Sequence, residues 1–423
     1  MAVSFTVCTQ RLSASGQTDA VSKTASVSPF TADAALDYAR RLAHPRFTGS
    51  PAEAAAAEAL ARQLSAWGYS VERQPFEFST AVNHLVTLTL TVGLAGVIGV
   101  LALLGPQPTA AAVAATLVLA APLLLRRLQP RAERGALQSD SPWAHFGNRH
   151  RAANLIARFP PASSSAALPH LVLMAHYDSK SQRLPIGLRV ALVLVTLFGS
   201  AALCASAWLA LLWPAWSSAA AVAGVITLVG GAPLVWMDWA DDSPGAIDNA
   251  SGVGVVMHLA EILARWPAAL ARLRWTIVLT SAEELGLMGA AAFAAHYAAQ
   301  MQAERAVVLN FDGVGVEGRL HISGSAPSLR SALRRAARTC GVPVRDFSMP
   351  GVLFDHMPLG RAGLDAVTLL AIGPATWSVH TPRDTAAKLH PRGFAEAGAV
   401  ALSLIEHLAQ AALQPNSPSP TQS

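Results

Sequence analysis

The stretch Trp275-Thr-Ile-Val-Leu-Thr-Ser-Ala-Glu-Glu-Leu-Gly-Leu-Met-Gly289 constrains the fold of this chain more than any other. Its first six residues are apolar or β-branched, which predicts a buried strand. Two adjacent carboxylates, Glu283 and Glu284, follow the strand, and a helix rich in alanine and leucine comes next. In open α/β sheets, ligands bind beyond the carboxyl ends of strands, and neighbouring acids there repel unless a cation relieves them. The alternative is a solvated helix N-terminus, where acids suit the helix dipole.

The composition is typical of a membrane protein. Of the 423 residues, 52% are hydrophobic and only 13% are charged, which departs from soluble averages in both respects. The formal net charge is +5, but no dense basic tract with interleaved aromatics is present, so nucleic acid is not an expected partner. Cys8, Cys204 and Cys340 lie far apart and predict structural thiols rather than a disulfide framework.

Two pairs of long apolar runs interrupt the otherwise mixed polar and apolar sequence. The first pair covers 82–104 and 109–125, and the second covers 188–213 and 219–236, where Arg189 is the only charged residue. Uncharged runs of about twenty residues joined by short turns predict transmembrane helical hairpins, with buried core helices as the alternative. We therefore predict a flexible arm (1–29), a first hairpin (82–126), a second hairpin (187–237), a disordered tail (414–423), and one domain built from 30–81, 127–186 and 238–413.

The hairpins also predict an orientation. Each hairpin returns the chain to the side it left, so all parts of the domain lie on one side. The far-side loops contain no lysine or arginine, and the first thirty residues have no signal-peptide pattern. The near side carries Arg126, Arg127, Arg131, Arg134, Lys180, Arg183 and Arg189. By the positive-inside rule, we predict a multi-pass protein of a bacterial-type inner membrane with the domain in the cytoplasm.

Strands and helices alternate through the domain. Residues 154–159, 170–175, 275–280, 306–311, 319–323 and 366–372 are predicted strands, and most are followed by a helix pattern. This alternation predicts an α/β fold with a mixed, mostly parallel central sheet and helices on both faces.

Acidic and histidine side chains recur at the ends of these strands or in the loops after them, and Asp248 lies in a turn rich in glycine, asparagine and serine before a helix. They are His176, Asp178, Asp248, Glu283, Glu284, Asp312 and His380, with Asp384 close to the last of them. Because carboxyl ends of parallel strands meet at one edge of a sheet, these loops are expected to converge. Mixed histidine and carboxylate sets without thiolates suit zinc and similar metals.

The residues divide into roles for two metals. Asp248 is the predicted bridge, His176 and Asp312 complete one metal, and Glu284 and His380 complete the other. Glu283 adjoins a ligand and is therefore the predicted general base, which takes a proton from water and delivers it to the leaving amine. Asp178, two residues beyond His176, is predicted to fix the ring of that histidine, and Asp384 is a weaker candidate for the same role near His380.

The chain resembles the dinuclear zinc aminopeptidases of the aminopeptidase Y and bacterial leucyl aminopeptidase type. That family also includes glutamate carboxypeptidase II, the glutaminyl cyclases and the transferrin receptor. The matching stretches are His44-Pro-Arg-Phe-Thr-Gly-Ser50, Ala175-His-Tyr-Asp-Ser179, Gly245-Ala-Ile-Asp-Asn-Ala-Ser-Gly252, Ser281-Ala-Glu-Glu-Leu-Gly286, Asn310-Phe-Asp312, Asp355-His356 and His380-Thr-Pro-Arg-Asp-Thr385. The resemblance implies a zinc-exopeptidase fold, two Zn²⁺ ions, and release of N-terminal amino acids from peptides with a free N-terminus.

Two features differ from the family. Its members are commonly secreted, lumenal or vacuolar, whereas the first thirty residues here show no signal-peptide pattern. This chain has the predicted hairpins inside the domain, and the second lies between His176 and Asp248, which predicts a site close to the lipid bilayer. The alternatives are a single-zinc acyltransferase of the glutaminyl cyclase type, a non-catalytic receptor or scaffold, and a transporter. The complete set of predicted ligands favours hydrolysis, and spans without acidic residues or lysine argue against a transport path.

Overall fold

An eight-stranded sheet forms the centre of the domain in the computed structural model, which describes residues 30–159, 168–236, 238–266, 272–349 and 351–411. The predicted arm (1–29) and tail (414–423) lie outside the described residues. The strands are β1 (Ser70–Ser79), β2 (Arg149–Arg158), β3 (His170–His176), β4 (Ser181–Gln182), β5 (Trp239–Ala240), β6 (Arg274–Thr280), β7 (Val307–Phe311), β8 (Arg319–Ser323), β9 (Val344–Asp346) and β10 (Asp365–Ile372).

The sheet is mixed, with a parallel centre. Its order is β1-β2-β6-β3-β7-β10-β8-β9. The four central strands β6, β3, β7 and β10 are parallel, whereas β2 is antiparallel to both of its neighbours and β8 is antiparallel to β10. Strands β4 and β5 form a separate antiparallel ribbon. The predicted fold class is confirmed.

Helices cover both faces of the sheet. The α-helices among the described residues are α1 (Ala32–Leu42), α2 (Pro51–Ala66), α3 (Ala81–Leu103), α4 (Pro108–Ala136), α5 (Ile186–Leu209), α6 (Trp216–Val235), α7 (Ser251–Ala264), α8 (Met288–Ala303), α9 (Pro327–Thr339), α10 (His356–Arg361) and α11 (Pro391–Ala411). Helices α3 to α6 pack on one another rather than on the sheet. Alternate side chains of β3 enter two different cores: Leu171 and Leu173 pack in a cluster with α7, and Val172 and Met174 in a cluster with α8. This alternation follows from the two-residue period of a strand, and explains why β3 is apolar throughout.

Among the described residues, four helices are long and apolar enough to cross a membrane: α3, α4, α5 and α6. They pack together through Val97, Ala112, Leu203 and Ala223. Only 17% to 39% of the most apolar stretch of each helix is buried, and Phe198 is 72% exposed. Core helices would bury such residues, whereas these four helices leave a large apolar surface exposed.

The first hairpin differs from its predicted bounds at one end. The predicted end at residue 126 lies inside α4, which continues to Ala136. The continuation buries Ala132 and Glu133, and the Glu133 carboxylate pairs with Arg361 of α10. Sequence hydropathy missed this part because the helix becomes amphipathic there. Helix α4 therefore joins the apolar helices to the domain without a break.

Candidate metal centre

The seven predicted site residues lie together at the carboxyl edge of the parallel strands. His176 ends β3, Glu283 and Glu284 follow β6, Asp312 follows β7, and His380 lies in the loop after β10. Asp248 lies in a turn segment (Ala246–Ala250) directly before α7. The loops meet because four adjacent parallel strands end at the same edge.

Two groups of three ligand atoms form at this edge. One consists of His176, Glu283 and Asp312, and the other of Asp248, Glu284 and His380, with the atoms of each group within 4.8 Å of one another. Asp248 lies between the groups. Its Oδ1 is 3.1 Å from His176 Nε2, and its Oδ2 is 3.1 Å from His380 Nε2. One carboxylate thus faces both imidazoles, which is the arrangement that a bridging ligand requires.

The remaining distances complete each group. His380 Nε2 lies 3.1 Å from Glu284 Oε2. His176 Nε2 lies 3.9 Å from Asp312 Oδ1 and 4.0 Å from Glu283 Oε2. Geometry alone places Glu283 and Asp312 at similar distances from His176, so the different roles assigned to them remain a prediction.

Unpartnered buried atoms show that these residues fit a metal. Both ring nitrogens of His176, Nδ1 of His380 and Oε1 of Glu284 are buried and have no partner in hydrogen-bond geometry among the described residues, although carboxylate oxygens lie near both nitrogens of His176. Leaving such atoms unpaired costs about 1–3 kcal/mol each. Two imidazoles and several carboxylates that converge in this way have the chemistry of a zinc site.

The pKa values of the adjacent residues Glu283 and Glu284 are shifted in opposite directions. Burial raises the pKa of Glu283 well above its usual value; His176 opposes this rise, and Glu284 and Asp312 add to it. Burial also opposes ionisation of Glu284, but His380 and Lys180 lower its pKa to about 2. Titratable neighbours whose pKa values are pushed apart are typical of acid–base sites. Glu283 therefore retains a proton more readily than Glu284.

Lys180 causes part of this difference. Its Nζ donates to the backbone oxygen of Glu284 at 2.7 Å and lies 3.0 Å from Glu284 Oε2. The ammonium group stabilises the charged form of Glu284 and fixes the position of its loop. No sequence pattern predicted this contact, because Lys180 was interpreted only as a basic residue near a predicted membrane span.

Asp178 supports both the histidine and the glutamate loop. Its Oδ1 lies 3.4 Å from His176 Nδ1. Its two oxygens also accept the backbone N–H groups of Glu283 and Glu284, each at 3.3 Å, and the Thr48 hydroxyl at 3.0 Å. The sequence predicted the first contact. The others depend on tertiary structure.

We expect Asp178→Ala to weaken zinc binding by about 10–100-fold, because groups that orient a metal ligand contribute that much to affinity. The measurement is competition for zinc against a chromogenic chelator. The matched control is Thr48→Val, which removes one hydrogen bond from Asp178 but keeps its carboxylate, and should change affinity by less than about threefold. Equal zinc affinity in Asp178→Ala and the parent protein would contradict the assigned role.

Asp384 and Asn249 hold the Asp248 turn. Asp384 was expected near His380, but its carboxylate accepts the backbone N–H groups of Ile247 at 2.7 Å and Asp248 at 3.1 Å. Asn249 donates to the Phe311 carbonyl at 2.8 Å, next to Asp312. These bonds fix Asp248 relative to both groups.

Asp355 and His356 lie behind the site. Asp355 is fully buried and accepts the Thr280 hydroxyl, and burial raises its pKa to about 7. His356 Nδ1 lies 2.7 Å from the Thr368 hydroxyl. His356 therefore makes a structural hydrogen bond to β10.

Arg46 is a completely buried arginine that connects the loops around the site. Its guanidinium donates to the carbonyls of Tyr177 at 2.6 Å, Pro244 at 2.6 Å and Gly245 at 2.8 Å, and also to two carbonyls of its own segment. Burial lowers its pKa to about 10, although Asp178 is among the acids that oppose this. It thereby joins the segments on either side of the second apolar hairpin.

We expect Arg46→Met to lower the free energy of unfolding by about 3 kcal/mol or more, because several buried carbonyls lose their donor. The midpoint of chemical denaturation in detergent measures this. The matched control is Arg73→Met, which removes an exposed pair with Glu58 and should cost less than about 1 kcal/mol. Equal midpoints for the two variants would contradict a central role for Arg46.

A mixed α/β sheet with two histidine–carboxylate groups at its carboxyl edge is the architecture expected from the family that the sequence motifs resemble. The chain belongs to Peptidase family M28, whose family model matches residues 154–405. The resemblance inferred from the sequence motifs is confirmed.

A curated relative supports this family assignment. Aminopeptidase YwaD of Bacillus subtilis (strain 168) is 29% identical over 167 residues, which cover 37% of this chain and 36% of that protein. The match thus spans about a third of the length of the curated relative.

Solved structures share the fold. The zinc aminopeptidase BSAP from Bacillus subtilis superposes with a TM-score of 0.54 at 15% identity, over 90% of this chain and 95% of that chain. A leucine aminopeptidase precursor from Bacteroides thetaiotaomicron superposes with a TM-score of 0.53 at 16% identity, over 90% of this chain and 98% of that chain. A glutaminyl cyclase from an Acidobacteriales bacterium superposes with a TM-score of 0.55 at 17% identity, over 93% of this chain and 100% of that chain.

Proposed function

We propose that this protein is a zinc-dependent aminopeptidase with two metal ions at the carboxyl edge of the sheet. The observation that carries the proposal is Asp248, which lies 3.1 Å from the imidazole Nε2 atoms of both His176 and His380. In this assignment Asp248 would be shared by the two ions, His176 and Asp312 would hold one, and Glu284 and His380 would hold the other. The family and the aminopeptidase relatives support the choice of substrate.

The chain's own residues would divide the chemistry between them. Zinc, when bound, supplies Lewis acidity that polarises a carbonyl and makes water a stronger acid. Glu283 takes the proton of the attacking water and delivers it to the leaving amine. Burial suits Glu283 to hold that proton, and its backbone bond to Asp178 fixes its position. Lys180 keeps Glu284 ionised as a ligand.

The direct test is hydrolysis of aminoacyl-arylamides and peptides by full-length protein in detergent. We expect cleavage only of substrates with a free N-terminus, loss of at least about 99% of activity after chelation, and recovery with added zinc, because the metals supply several kcal/mol of transition-state stabilisation. Cleavage of N-blocked peptides at equal rates, or activity that survives complete metal removal, would overturn the proposal.

Glutaminyl cyclisation is the second candidate, because solved glutaminyl cyclases share the fold at comparable TM-scores. A peptide with N-terminal glutamine separates the two. An aminopeptidase releases free glutamine, whereas a cyclase releases ammonia and leaves a blocked peptide. The second pair of ligands, His176 and Asp312, favours hydrolysis with two metals.

We also propose that α3, α4, α5 and α6 cross a bacterial inner membrane as two hairpins, with the domain in the cytoplasm. Their lengths of 20 to 29 residues and their exposed apolar surfaces support this. The basic residues on the domain side, such as Arg126 and Arg127, support the orientation. A reporter that is active only in the cytoplasm should be active when it is fused after residue 423. Activity only of a reporter that requires the opposite side of the membrane would reverse the proposed topology.

A further inference from the structure

The first apolar hairpin leaves the domain at the edge of the sheet that carries the metal centre. Strand β1 is antiparallel to β2, and β2 is antiparallel to β6. Strand β1 therefore ends at the same edge as β6, which carries Glu283. Helix α3 begins at Ala81, directly after β1 ends at Ser79, and β2 begins at this edge after α4 returns.

The second hairpin uses the same edge. Strand β3 ends at His176, and α5 begins at Ile186. The ribbon of β4 and β5 pairs the segment before α5 with the segment after α6. All four connections between the domain and the apolar helices therefore lie on the side of the sheet where the ligands converge.

The hairpins contact the loops that carry the ligands. A Cβ at Gly286, two residues after Glu284, would lie 3.4 Å from the Asn83 side chain of α3. Gln182 of β4 donates its backbone N–H to the His380 carbonyl at 2.9 Å. A Cβ at Gly187 of α5 would lie 3.5 Å from the ring of Trp377, three residues before His380.

The surface around these contacts suits a lipid headgroup region. Trp377 is 59% exposed, Trp236 at the end of α6 is 67% exposed, and Leu188 in the first turn of α5 is 49% exposed. Tryptophan is enriched at the boundary between membrane and water. Arg126 and Arg127, which are exposed on α4, add the charge that attracts anionic lipids.

We infer that the edge of the sheet with the metal centre faces the bilayer, and that the preferred substrates are peptides with a free α-amine and an apolar segment that partitions into the membrane surface. This inference rests on the proposed aminopeptidase function and deepens it. A substrate held at the surface by its apolar segment is concentrated next to the site. A soluble peptide must instead enter the space between domain and lipid.

The test uses full-length protein in anionic phosphatidylglycerol–phosphatidylcholine vesicles. Two peptides share their first four residues; one continues with a polar tail and the other with an apolar tail that binds vesicles. We expect kcat/KM for the apolar-tailed peptide to be higher by about tenfold or more, as confinement raises effective concentration. Trp377→Ser should reduce this ratio at least about threefold. Trp213→Ser, which changes an exposed tryptophan in the turn between α5 and α6 at the far end, should leave the ratio unchanged.

A second readout does not depend on activity. A nitroxide placed by Trp377→Cys, in a chain with its three native cysteines replaced by serine, should be more accessible to oxygen than to a polar nickel reagent. One placed by Ala303→Cys, at the opposite edge before β7, should show the reverse. Equal kcat/KM for the two peptides, or a nitroxide at 377 that prefers the polar reagent, would overturn the inference while the aminopeptidase proposal stands. Failure to cleave either peptide would overturn the aminopeptidase proposal and the substrate class with it, and the nitroxides alone would then decide which way the edge faces.

Discussion

Glu283→Gln will lower kcat for N-terminal peptide hydrolysis by about a thousandfold and leave the zinc content unchanged, which is the effect expected when a general base is removed. Glutamine has the size of glutamate, so the packing of the loop is kept. The Glu283 contact with Asp178 runs through a backbone N–H and survives the substitution. What is lost is the carboxylate that accepts and returns the proton.

The neighbouring residue provides the control. Glu284→Gln should lose activity and also bind less zinc, because Glu284 is the proposed ligand and its Oε2 lies 3.1 Å from His380 Nε2. Zinc content measured by atomic spectroscopy, beside steady-state kinetics, separates the two effects. If Glu283→Gln instead loses a zinc ion, Glu283 is itself a ligand beside His176 and Asp312, and the roles of the adjacent glutamates must be exchanged or shared.

The sequence predicted most of the residues that converge because they end or follow a recognisable strand; Asp248 instead lies in a turn before a helix. His176, Asp312 and the two glutamates all stand directly after apolar, β-branched runs, and parallel strands bring such positions to one edge. The order of the strands in the sheet could not be predicted in this way. Strand β6 lies between β2 and β3, although more than one hundred residues separate it from β2 along the chain. Local patterns carry no information on that order.

The supporting contacts were missed for the same reason. Arg46 reaches carbonyls of residues 177, 244 and 245, and Lys180 reaches the backbone of Glu284. A single basic residue in a turn has no pattern that predicts a buried donor. Asp384 was assigned to the nearest histidine in the sequence, but its carboxylate holds the Asp248 turn, 136 positions away. Proximity along the chain is a poor guide to the partners of residues that support the metal ligands.

Asp248→Asn should reduce the bound zinc from two ions to one and lower kcat/KM by at least about a thousandfold, which corresponds to about 4 kcal/mol. The reason is the pair of 3.1 Å distances from its two oxygens to the two imidazoles. Asparagine has nearly the same shape but only one oxygen, so it can serve one metal. The substitution also removes the negative charge between His176 and His380, which hold the pKa of Asp248 well below its usual value despite burial.

Asp384→Asn is the matched control for this substitution. It leaves both oxygens of Asp248 in place and weakens only the acceptor for the N–H groups of Ile247 and Asp248. We expect two zinc ions to remain, bound about 10–100-fold more weakly, as for other groups that orient a ligand. Two tightly bound ions in Asp248→Asn would show that the groups on either side hold their metals independently. Asp248 would then be a ligand of one ion, and the two-metal reaction would need another residue to link the sites.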